Sequence, residues 1–171
     1  MITNKLAQEI LTSVKAFREA AGFLSQSDEL HQQLYASESI ELLTAKTWEE
    51  GADALADMAV VMAGHQLDGK PFYDFENAIA GLNYMSLACS VNLIEAFRIV
   101  MISNMTKVCA AEDKNATTQK YLNEGVHIHW VQRGNLWACY SANDMPDKPK
   151  GKLLKPVTYK EPDWSRDSWK C

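Results

Sequence analysis

The sequence predicts a mainly α protein, a four- to five-helix bundle with a small C-terminal β-hairpin and an irregular tail. Apolar residues recur every three or four positions through the first part of the chain, as a core-facing helical stripe requires. Caps and breakers such as Thr47, Gly69 and Pro71 divide that run. The pattern changes at VHIHWVQRGNLWACYS, where β-branched and aromatic residues flank Gly134-Asn135. With 171 residues and 47% hydrophobic content the chain can bury one core. A single domain over 1–171 follows, its helical core about 4–124 and its hairpin and tail about 126–171.

The elements follow in order. Leu6, Ile10, Val14, Phe17 and Ala21 form one apolar stripe on a first helix that ends near Gly22. After the polar break SQSD, Ser27 or Asp28 can cap a second helix from about Glu29 to Ala45, carrying Leu30, Leu34, Ile40 and Leu43. Thr47 caps a third, with Glu50 three residues on as in a capping box, and it runs to about Leu67. A fourth covers about Tyr73 to Leu82. The fifth runs from Val91 to about Ala110 through Ile94, Phe97, Val100 and Met101. The last segment, NDMPDKPKGKLLKPVTYKEPDWS, is rich in Pro and Lys and reads as irregular.

Composition removes several function classes. A net charge of −5 and a pI near 5.4 argue against binding along a nucleic-acid backbone, though not against one small anionic ligand held locally. The most apolar stretch, ALADMAVVMAG, contains Asp57 and is too short to span a bilayer. The amphipathic N-terminus lacks the apolar run of a secretory signal. Cys89, Cys109, Cys139 and Cys171 form no C-x-x-C pair, which fits reduced thiols in the cytoplasm.

The stretch ESIELLTAKTWEEGADALAD carries the chemistry. Helical spacing puts Glu38 and Glu41 on one face, and Glu50, Asp53 and Asp57 on another. A tight turn at Ala45 to Thr47 would fold the two helices antiparallel and bring those faces together. Converging carboxylates repel, so they must raise their pKa values or take up a cation. An oxygen-only donor set favours Mg²⁺ or Mn²⁺ over Zn²⁺ or copper. Acids at this spacing more often form a solvated face, but Asp53 and Asp57 sit among Ala52, Leu55, Met58 and Val60. Glu50 has a second reading, as the capping-box acid alone.

E38-S-I-E41 followed by E50-G-A-D53-A-L-A-D57 resembles the E-x-x-E and E-x-x-D metal motifs of the MazG-like, all-α nucleoside triphosphate pyrophosphohydrolase superfamily. V14-K-A-F17-R-E-A-A-G22, S103-N104-M-T-K107 and G151-K-L-L-K155-P-V-T-Y159-K-E-P162-D extend the resemblance to the small phage and bacterial branch. The gap between the acidic pairs is shorter than in many relatives. The second motif registers either on Asp53 through Glu50 or on Asp57, where Ala54 replaces the family's first acid.

The resemblance implies hydrolysis of nucleoside or deoxynucleoside triphosphates to the monophosphate and pyrophosphate, with guanine nucleotides suggested by phage relatives. It implies two or more Mg²⁺ or Mn²⁺ ions on Glu38, Glu41, Asp53 and Asp57, with Glu50 a further candidate. It also implies a homotetramer built as a dimer of dimers. Glu38 or Glu41 would accept the attacking water's proton. Lys107, Lys152 and Lys155 are the candidates for the outer phosphates. Asn104, three residues before Lys107, could bond phosphate, sugar or base. Phe17 could stack on a base or belong to the core, and Tyr159 and Trp164 are tail candidates for that stacking. His127 and His129 alternate on one strand and read as structural.

Other site types fail. LDGKPF lacks phosphate-loop spacing, and no G-x-S-x-G elbow occurs. A di-iron bundle needs two helical E-x-x-H motifs, and only E124-G-V-H127 matches. The competing functional class is a non-catalytic helical oligomer that binds a nucleotide or a protein.

Overall fold

The computed structural model describes residues 2–22, 25–69 and 73–171. Among them are six α-helices: α1 Ile2–Ala21, α2 Asp28–Thr44, α3 Trp48–Leu67, α4 Phe75–Ala88, α5 Leu93–Asn104 and α6 Lys114–Asn123. Three strands, β1 Val108–Cys109, β2 Ile128–Arg133 and β3 Leu136–Ser141, form an antiparallel sheet in the order β1-β3-β2. The chain is mainly helical with a small sheet towards its C-terminus.

The stripe on α1 is buried as its spacing demands: Ile10, Val14, Phe17 and Ala21 are all inaccessible. α3 is the central helix, packed by α1, α2, α4 and α5, and so many of its residues are small. Ala52, Ala56, Ala59 and Ala63 let the neighbouring helices approach closely. At its start the Thr47 hydroxyl accepts from Glu50 N at 3.2 Å, while the Glu50 carboxylate accepts from Lys46 N at 2.6 Å and Thr47 N at 3.4 Å. That is the expected capping box. It ends the short connection that turns α2 back on α3. At the far end of the pair the His31 and His65 rings stack at 4.6 Å, so the two helices run antiparallel.

Several elements depart from the sequence expectation. α4 starts at Phe75 rather than Tyr73 and continues past Leu82 to Ala88. Its buried stripe, Phe75, Ile79, Leu82 and Ser86, ends on a serine whose hydroxyl bonds the Leu82 carbonyl at 2.8 Å, so an apolar criterion stops too soon. α5 stops at Asn104 instead of Ala110. Met105–Lys107 tighten into a 3₁₀ turn, and the Thr106 hydroxyl donates to Ser103 O at 2.7 Å. Val108 then pairs with Ala138, adding a third strand to the expected hairpin. α6 raises the helix number to six. Gly69 has a positive φ of 72° just past α3, and Pro71 lies outside the described residues.

The β2–β3 turn has Gly134 at φ 56°, the conformation a two-residue II′ hairpin needs at its first central position. The tail has no α-helix or strand, only a 3₁₀ turn at Asp167–Trp169, but is tightly bonded. Ser141 N donates to Lys152 O at 3.0 Å, and Leu154 N to Cys139 O at 2.8 Å. Further on, Val157 N reaches the Thr117 hydroxyl at 3.1 Å, and Lys160 N the Thr106 hydroxyl at 2.9 Å. Trp169 is fully buried in the main core, and its carbonyl accepts from Asn92 N at 2.7 Å. The tail thus crosses from the sheet to the end of α5, carrying Lys152 and Lys155 with it.

Candidate functional site

Antiparallel packing of α2 on α3 aligns two helical stripes. On α2 these are His31, Leu34 and Glu38; on α3 they are Asp57, Val60, Val61 and Gly64. Both follow the three, four, seven spacing of one helix face. Val14 and Phe17 of α1 close one side, and Asn104, Lys107 and Lys152 close another. The cleft between them is acidic and cationic at the Glu38–Asp57 end and largely apolar along its middle. The cleft as a whole holds about 120 Å³.

Glu38 of α2 and Asp57 of α3 line the same cleft, and the charge of one acts on the other. Burial is the largest influence on Glu38, and the charges of Asp57 and Glu41 add to it, pushing its pKa up to about 8. Lys152 and Lys107 act in the opposite sense. Asp53 is raised to about 7 by burial first and then by Asp57, with Lys155 and Lys107 again opposing. Its Oδ1 is buried without a hydrogen-bond partner among the described residues. Burial pushes the Lys107 ammonium below its ordinary pKa, against the attraction of Asp57 and Glu38. Lys155 is shifted the other way: burial would lower it, but Tyr159 and Glu161 outweigh that effect.

The expected residues therefore divide. Glu38, Asp57, Asn104, Lys107, Lys152 and Phe17 share the cleft wall. Glu41 acts on Glu38 and Lys155 on Lys107 through their charges, and Asp53 feels Asp57 and Lys107. Glu41 is solvent-exposed. Asn104 ends α5 and Lys107 ends the following 3₁₀ turn, whose three-residue period keeps the two on one side despite the lost α-helix. Phe17 is only 4% exposed, so it serves core and cleft together.

Three candidates sit elsewhere. The Glu50 carboxylate faces the backbone amides of its own N-cap, the alternative its spacing allowed. The Tyr159 hydroxyl is 2.8 Å from that of Ser103, which itself donates to Lys160 O at 2.7 Å. Trp164 packs edge-on against Trp169 at 5.3 Å and joins the core, contrary to the expectation of an exposed tail aromatic. His129, kept out of the site on sequence grounds, stacks on Tyr140 at 5.6 Å.

One group was missed. Arg18, Gln26 and His31 line the inner end of the cleft and converge on Asp68 just past α3. Arg18 Nη2 donates to Asp68 Oδ1 at 2.8 Å and Oδ2 at 3.0 Å, and its Nη1 donates to Gly64 O at 2.7 Å. Gln26 N donates to Asp68 Oδ2 at 3.1 Å, and His31 Nε2 stands 2.7 Å from the same oxygen. Burial would raise the Asp68 pKa, but these donors outweigh it and hold the carboxyl below its usual range. The available signal was the placement of His31 seven residues before Glu38, on the same face of α2.

The donor chemistry fits a hard divalent cation. Two raised carboxyls and an unpartnered buried carboxylate oxygen are groups that a cation would satisfy. No three acidic, histidine or cysteine side chains among the described residues are already gathered as a metal cage. The chain matches no protein-family model, no curated protein and no solved structure.

Proposed function

We propose that the protein is a metal-dependent nucleoside triphosphate pyrophosphohydrolase of the MazG-like, all-α bundle type, releasing a monophosphate and pyrophosphate. The observation that carries this reading is the joint presence of Glu38, Asp57, Lys107 and Lys152 in one cleft whose remaining wall is apolar. Acids alone would suit a cation, and lysines alone an anion. Together they suit a cation–phosphate pair beside an organic group.

Glu38, Glu41, Asp53 and Asp57 would hold two or more Mg²⁺ or Mn²⁺ ions, which when bound supply charge neutralisation at the phosphate oxygens and a more acidic attacking water. Lys107, Lys152 and Lys155 hold the outer phosphates and stabilise the pyrophosphate leaving group. Glu38 or Glu41 accepts a proton from the attacking water. Asn104 orients the sugar or a phosphate, and Phe17 packs against the base. The proposed role is nucleotide-pool control or precursor supply for phage DNA, with a guanine nucleotide as one substrate.

A homotetramer is part of this reading. Ile40, Leu43 and Trp48, at the tip of the α2–α3 pair, are 61%, 85% and 57% exposed and offer apolar surface to a second copy. Sedimentation of the wild type against Leu43→Glu tests this: assembly independent of that surface would remove it from the interface.

The absence of a ready-formed cage among the described residues favours a second reading, a non-catalytic oligomer that binds nucleotide. The deciding experiment is a panel of nucleoside triphosphates with Mg²⁺ and Mn²⁺, with monophosphate and pyrophosphate measured separately. Equimolar release of both supports the hydrolase. Binding without any release supports the second reading.

A further inference from the structure

The seam between α2 and α3 has a second side. On α2 the cleft takes His31, Leu34 and Glu38, whereas Gln32, Tyr35 and Ala36 line a separate pocket. On α3 the cleft takes Asp57, Val60, Val61 and Gly64, and the pocket takes Val61, Met62 and His65. One residue is about 100° of helix, so the two cavities lie to either side of the seam. His31 and Val61 are walls of both and form the partition. Tyr73, just before α4, and Ala78 within it close the pocket and have no part in the cleft.

The pocket differs from the cleft in its chemistry. It holds about 460 Å³, within the roughly 300–1,000 Å³ of small-molecule sites. No Asp, Glu, Lys or Arg is among its described lining residues. The Asp68 and Asp28 carboxylates, 2.7 Å and 3.4 Å from Nε2 of His31 and His65, stand outside that lining. Met62 and His65 are buried, whereas Gln32 and Tyr35 are exposed. Neutral polar groups therefore stand at the mouth, with apolar and aromatic surface behind them.

Aromatic geometry narrows the occupant. Tyr73 meets His65 edge-on, with ring centroids 5.8 Å apart and planes at 69°, and its hydroxyl donates to Met62 O at 3.3 Å, which fixes the ring. Two aromatic planes set near a right angle let a third ring stack on one while turning its edge to the other. A charged group brought here would lose water and find no counter-charge in the lining.

Independently of the nucleotide reading, we infer that this pocket is a second ligand site, which takes an uncharged aromatic ring whose polar edge is turned to Gln32 and Tyr35. Indole, a neutral ring with one N–H, is the probe.

The test titrates indole, indole-3-acetate and tryptamine, which share a ring and differ in charge, against the full chain carrying ¹³C-methyl methionine. Indole should bind at least about tenfold more tightly than either charged ring, and should shift the Met62 methyl resonance while leaving that of Met105, outside the pocket, unmoved. Ala36→Trp, an exposed change, should fill the mouth and weaken indole binding about tenfold or more, with helical circular dichroism unchanged. No binding at millimolar indole, equal binding of the three rings, or shifts that spare Met62 overturn the inference. So does self-association of the wild type that excludes indole and is lost in Ala36→Trp, which would give the pocket to a second copy.

Gln32→Glu stands in if Ala36→Trp does not fold. It supplies the missing counter-charge at the mouth and should tighten tryptamine about threefold while changing indole little. Unchanged tryptamine affinity overturns the inference. Triphosphate hydrolysis enters none of these measurements, so the hydrolase and the pocket stand or fall separately.

Discussion

Arg18 and Asp68, fifty residues apart, meet in a fork: one guanidinium nitrogen lies 2.8 Å and 3.0 Å from the two carboxylate oxygens. Both side chains are nearly inaccessible, at 12% and 5%. The contact ties the end of α1 to the end of α3, with His31 of α2 on the same carboxylate. Asp68→Ala would take the carboxylate away from a buried guanidinium, which should cost about 3–5 kcal/mol. Urea melts of the two proteins check this, and a loss below about 1 kcal/mol would mean that the fork does not hold these helices.

The raised carboxyls set a pH dependence. Their folded pKa values, about 8 for Glu38 and about 7 for Asp53, lie above the ordinary 4.5 and 3.8. Folding therefore favours their protonated forms. Their stabilising contribution is complete below the ordinary values and is lost as pH rises through 7 to 8. Without metal, Glu38→Gln should raise the melting temperature at pH 9 by about 2–4 °C, corresponding to about 1 kcal/mol, and change it little at pH 4. An equal effect at both pH values would show that ionisation is not its cause.

Glu41→Gln and Asp53→Asn should lower turnover by at least about a hundredfold, the scale of losing a group that acts in the transition state. Their helical circular dichroism should not change. Either variant retaining near-normal rates loses its place at the cation.

Lys107→Ala should raise KM for triphosphate about tenfold or more, with the larger part of the change in binding. Calorimetry with a hydrolysis-resistant triphosphate measures it directly. Equal affinity of variant and parent would take Lys107 away from the phosphates.

Glu50 provides a control inside the acidic motif. Because its carboxylate completes the capping box, Thr47→Ala should cost about 1 kcal/mol of stability, and Glu50→Gln should leave turnover near the parental value. A large loss of turnover in Glu50→Gln would return this residue to the cation site.

Local spacing explains what could be read from the chain alone. The α1 stripe, the Thr47–Glu50 box and the Gly134 turn each lie within a few residues, and each was foreseen. α6 was not, because KNATTQKYLN buries only Thr117 and Tyr121 and shows no apolar stripe. β1 is two residues long and exists through Ala138 and Trp137, about thirty residues on. The cleft shows the same division. Glu38, Asp53 and Asp57 announce themselves by helical spacing, whereas the Arg18–His31–Asp68 cluster is assembled across 37 to 50 residues and has no local pattern.

Trp169 sits fully buried against the main core, its backbone stitched to the start of α5. A nascent chain that has emerged only as far as its helices still lacks this plug. During synthesis the exposed seat for the indole stays sticky, and the cationic strap is delivered along with the plug. Burial of the indole and delivery of the strap both wait for the last part of the chain, so a chain cut before Lys152 forfeits both.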